Sequence, residues 1–142
     1  MDRNSKTLVD PGDGCNRFCV YIRTAAGPWP DSIAIQQING GEHGEDWLTD
    51  IVLLTCESHT RRLLRALKRK SRVFRTFKDQ GGTIIGRASD VGQLLVYTED
   101  GAFACIYVEQ HEDALYLQSP LQVPMLIEAI KGYAAVLGWE VD

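Results

Sequence analysis

The chain has 142 residues, 44% hydrophobic and 24% charged, which suits one folded domain and excludes wholesale disorder. A net charge of -4 excludes a uniformly basic nucleic-acid binder. The longest aliphatic run, IVLL at 51–54, is far too short to cross a bilayer as a helix.

The N-terminal stretch MDRNSKTLVDPGDG is polar and lacks a signal-peptide core. It reads as a flexible tail, 1–14, ahead of a single domain, 15–142, and the protein is expected to be cytoplasmic and not membrane-bound. RFCVYIRT (17–24) alternates Phe18, Val20 and Ile22 and reads as a strand. The turn AAGPWPD follows, then a second alternating strand, SIAIQQI (32–38). Residues 47–60 fit either state. DIVLLTC resembles a short buried strand, but Leu48, Val52, Cys56, His59 and Leu63 share one helical sector, so a helix from near Asp46, broken around Ser58, is preferred.

RRLLRALKRKSRVFRTFK (61–78) is the clearest helix. It holds nine of the chain's 15 Lys and Arg residues and no acid, while the rest of the chain has six basic against 19 acidic side chains, a balance of -13. Leu63, Leu67, Phe74 and Phe77 form its apolar stripe, and all four are expected to be buried. Arg61, Arg62, Arg65, Lys68, Arg69, Arg72 and Arg75 form the opposite face. Gly81 and Gly82 stop the helix.

TIIGRA, QLLVYT, AFACIYVE and ALYLQS then read as four strands, with Asp100–Gly101 as a hairpin signal. PMLIEAIKGYAAVL (124–137) closes as a helix with Pro124 first and Gly138 last. No internal repeat is evident. The order β-β-α-β-β-β-β-α indicates an α+β fold: an antiparallel sheet of about five to six strands with two main helices on one face. Strand 102–109 is apolar on both sides, which points to cover from a second subunit and hence a homodimer.

The basic face is the candidate binding site, for an anion or a protein partner. Its cations are expected to be matched mainly by protein carboxylates, from the chain itself or from a partner subunit, because seven like charges on one helix repel. Read as a nucleic-acid site, the face lacks an aromatic side chain for stacking bases. Cys15-x3-Cys19 and Cys56-x2-His59 could supply four zinc ligands, but the first pair lies too far apart in an extended strand, and no metal is assigned. His43 and His111 sit among acids, GEHGED and EQHED, in predicted loops without a nucleophile beside them. Cys105 with His111 would need the fold to bring them together, and Cys105 lies in an apolar run. GGTIIG (81–86) follows a helix and enters a strand, the reverse of a phosphate-binding loop. No catalytic residue, cofactor or metal is assigned.

These features favour a small non-enzymatic protein-interaction module: an adaptor, inhibitor, chaperone-like or immunity-type protein with a protein partner, itself included. The first alternative is a nucleic-acid-binding regulator using helix 61–78. The second is a small enzyme using His43 or His111 with neighbouring carboxylates.

Overall fold

A computed structural model describes residues 1–25, 30–40, 46–88 and 92–142, with residues 40, 46–49 and 88 as backbone only. The fold is α+β. It has two four-stranded antiparallel sheets, where a single sheet of five to six strands is expected from the sequence. The first is a meander of β1 (Lys6–Val9), β2 (Arg17–Arg23), β3 (Ser32–Gly40) and β4 (Asp46–Leu54). The second is a meander of β5 (Thr83–Ala88), β6 (Gly92–Glu99), β7 (Cys105–Gln110) and β8 (Asp113–Leu117). Helices α1 (Glu57–Lys70) and α2 (Val73–Thr76) follow the first sheet, and α3 (Gln122–Val136) follows the second.

Two sequence assignments are corrected. Residues 46–54 are strand, not helix: Val52 and Leu54 point into the core while Ile51 and Leu53 stay half-buried on the other face. Inside the stretch taken as a tail, Lys6–Val9 pairs with β2, and the fully buried Tyr133 of α3 anchors it through hydroxyl bonds to Ser5 (3.1 Å) and Thr7 (3.0 Å).

The architecture repeats where no sequence repeat is evident. Each half is four strands followed by a helix. Setting Asp50 against Asp113 without a gap puts Val52 on Leu115, Leu54 on Leu117, Leu63 on Leu126, Ala66 on Ala129 and Leu67 on Ile130. All ten of these hydrophobic residues are buried. The helices cross over: α1 packs on β5 and β6, α3 packs on β1, β2 and β3, and the two helices touch.

The sheets meet where β4 faces β8, and reciprocal side-chain bonds join them. Asp50 accepts from the Ala114 N–H (2.9 Å), and Asp113 accepts from the Ile51 N–H (3.1 Å). Gln110 accepts from the Leu53 N–H (2.7 Å) and donates to its carbonyl (2.9 Å); Gln37 accepts from the Tyr116 N–H (3.1 Å). Gln37 and Gln110 are buried with these partners, which satisfies polar groups that would otherwise be costly inside. The ladder of β3 and β4 slips between Gln36 and Ile38, so consecutive Gln37 and Ile38 are both buried.

Both helices cover the same side. Inward residues alternate along each strand, as with Phe18, Val20 and Ile22 or Ile106 and Val108. The other face of the second sheet carries a row of half-buried tyrosines: Tyr97 stacks on Tyr107 at 4.9 Å, and Tyr107 lies 6.3 Å from Tyr116. On strand 102–109, the apolar side away from the helices is therefore partly covered by neighbouring rings of the same sheet. Residues 101–103 form a 3-10 turn, and β7 begins at Cys105.

Candidate functional site

Helix α1 is amphipathic because Leu63, Leu64, Ala66 and Leu67 recur on one side and fill the core. Glu57 in its first turn and Lys68, Arg69 and Lys70 in its last complement the helix dipole. The helix stops at Lys70, the chain turns at Ser71, and α2 adds one further turn. Phe77 then takes the left-handed conformation (φ 56°), which rotates its side chain off the apolar stripe. It is 57% exposed, where the periodicity predicts burial; Phe74 is half-buried, and Leu63 and Leu67 are fully buried.

The cations on the outer face have different environments. Arg61 lies 3.7 Å from Glu57 and donates to the Glu140 carbonyl at 2.8 Å. Arg62 donates to the Ile85 carbonyl at 3.0 Å. Lys70, placed by spacing among apolar residues, is buried and donates to the Gln80 carbonyl at 2.9 Å. Burial, reinforced by Arg69, pushes its ammonium pKa down, with Asp79 opposing.

Arg65, Arg69, Arg72 and Arg75 are exposed, and their guanidinium groups make no hydrogen bond or ion pair with any described residue. Lys68 is exposed beside them. It and Lys131 favour the charged form of Asp142, whose carboxyl is held below its usual range chiefly by the 2.9 Å bond from Lys131. Among the described residues, only Arg61 of this face has a carboxylate within 4 Å, while Lys68 has Asp142 at longer range.

The face also has an aromatic neighbour that periodicity hides. Exposed Phe77 follows Arg72 and Arg75 and precedes Lys78. Its carbonyl accepts from the Gly101 N–H at 3.0 Å, tying this corner to the turn that carries Phe103, 88% exposed. Only the left-handed backbone at Phe77 reveals this, and the helical pattern offers no signal for it.

The remaining candidate residues do not converge. His111 occupies the left-handed position (φ 57°) of the exposed hairpin between β7 and β8. Cys105 is buried, and burial and Glu99 raise its thiol to about 11, which leaves it unreactive near neutrality. His43 lies outside the described residues. His59 packs against Gly86, where no room is left for a Cβ. Cys56 precedes α1, its sulfur 3.5 Å from the Ser58 hydroxyl, and Cys15 and Cys19 are half-buried free thiols. Among the described residues no group of three or more metal-ligating side chains gathers, and no helix is long and apolar enough to cross a membrane. Comparison of the chain with known protein families and with curated proteins finds no match.

Proposed function

We propose that the protein binds single-stranded nucleic acid through the outer face of α1 and α2, as a regulator or accessory factor rather than an enzyme. The observation that carries this is the line of Arg65, Arg69, Arg72 and Arg75, exposed and without internal partners among the described residues. Arg65 and Arg69 are separated by one helical turn, about 6 Å along the axis, so they present successive charges to one extended polyanion. Guanidinium groups suit phosphate because their paired donors match its oxygens. Exposed Phe77, two residues after Arg75, offers a stacking surface, and stacking favours unpaired bases over a duplex. The acidic remainder of the chain confines the contact to this face.

The test is a titration of a labelled single-stranded oligonucleotide across a salt series. Affinity should fall with salt, the logarithmic slope changing by about -0.7 for each phosphate contacted. Changing Arg65 and Arg72 together to Ala should reduce that slope by about 1.4. Absence of binding at low salt, or an unchanged slope in the double variant, would remove this reading.

Exposed Leu8 and Ile84 on the open side of the two sheets, with Phe103 on the adjoining turn, favour a second reading: a protein-interaction module with a partner on that side, a second copy included. Light scattering of the intact chain tests the second copy. A particle of about twice 15.9 kDa supports a homodimer, and a monomer at micromolar concentration removes it.

A further inference from the structure

A cavity of about 360 Å³ opens at the end of the second sheet, away from the helices. Tyr107 and Tyr116, neighbours across β7 and β8, stand 6.3 Å apart at 48° to each other and supply two walls. Phe103 stands at the rim, and small Ala102 and Ala104 leave the space open. Among the described lining residues one side chain is charged, the carboxylate of exposed Glu99, and none is Lys, Arg or His.

We propose that this cavity binds an organic cation, an alkylammonium group held over the faces of Tyr107, Tyr116 and Phe103 and balanced by Glu99. Each ring carries negative charge density on its face, and a cation within about 6 Å of a ring centre is attracted to it. Tyr97 stacks on one face of Tyr107, so the cation would sit in the open mouth between Tyr107 and Tyr116, within about 6 Å of both ring centres. The volume falls in the range of small-ligand sites. An anion would meet Glu99 without a compensating cation. A hard metal ion would find one carboxylate where about six oxygens are needed. A neutral apolar ligand would bury Glu99 for no return. Burial, with Cys105 and Glu99, pushes the Tyr107 hydroxyl up to about 12, so this wall stays a neutral phenol across the physiological range. The cavity shares no described lining residue with the arginine face, although the Gly101–Phe77 bond joins their neighbouring turns, so either can fail without the other.

The test compares choline with its uncharged isostere 3,3-dimethylbutan-1-ol, by calorimetry and by ring-proton shifts on the full chain. Choline should bind about tenfold tighter, with the largest shifts at Tyr107 and Tyr116. Glu99→Gln and Phe103→Ala, both on exposed side chains, should each weaken choline by about three- to tenfold without altering the fold. A trimethyl-lysine peptide identifies the source: affinity well above that of choline assigns the cation to a protein side chain, and equal affinity assigns it to a free small molecule. Equal binding of choline and the isostere, or unchanged affinity in both variants, would overturn the proposal.

Discussion

Phe77 combines two properties that can be separated by substitution. Its backbone is left-handed, a conformation that costs an L residue roughly 1–2 kcal/mol, and its ring is mostly in water. Phe77→Gly should therefore leave thermal stability unchanged or raise it by up to about 1 kcal/mol, while weakening binding to single strands more than to duplex. Parallel melting and binding curves check this; a large stability loss would show that the ring is structural. Leu67 is the contrast. It is fully buried, so Leu67→Ala should cost roughly 2–5 kcal/mol in denaturant unfolding, whereas Arg72→Ala should cost less than about 0.5. Cys105 sets a pH limit. Its folded pKa lies above its ordinary value of 9.0, so the folded state keeps its proton where the unfolded state has lost it. That contribution to stability is fully present below about pH 9 and is lost as pH rises through about 11. Cys105→Ser should flatten this alkaline loss, measured as unfolding midpoint against pH.

The seam between β4 and β8 is held by side chains, so it is sensitive to single changes. Gln110→Leu removes the donor and the acceptor for Leu53 and leaves both backbone groups short of partners. A loss of about 2–4 kcal/mol is expected from chemical unfolding, against little change for Glu112→Ala in the exposed hairpin. The helices make the same point on a larger unit. Because α1 covers the second sheet and α3 the first, neither half buries its own apolar face. Chains 1–81 and 82–142, cut between the exposed Gly81 and Gly82, should lack cooperative unfolding alone and regain it when mixed. Cooperative folding of either half by itself would contradict the crossed packing.

In the molecule as a whole, charge is arranged by face, and much of this was legible in the sequence. The basic run, its amphipathic period and six of the eight strands follow from local patterns: alternation in 17–24, 32–38 and the segments after Gly82, and a 3.6-residue stripe at Leu63 and Leu67. Local signals carry that information because period and turn chemistry depend only on neighbours in the chain. Four things depended on distant residues. β4 matched a helix as well as a strand until β3 and β8 came beside it. Lys6–Val9 is too short and polar to announce itself, and becomes a strand through β2 and Tyr133. The repeat of the two halves survives at a few buried positions, such as Leu63 and Leu126 or Ala66 and Ala129, scattered among unlike surface residues that hide it. The fate of the basic face was a matter of which acids reach it: a balance of -13 elsewhere in the chain suggested neutralisation, but only folding places Glu57 beside Arg61 and leaves Arg65, Arg69, Arg72 and Arg75 facing water. Charge totals carry no distances, and Coulomb attraction near a surface fades within about 10 Å.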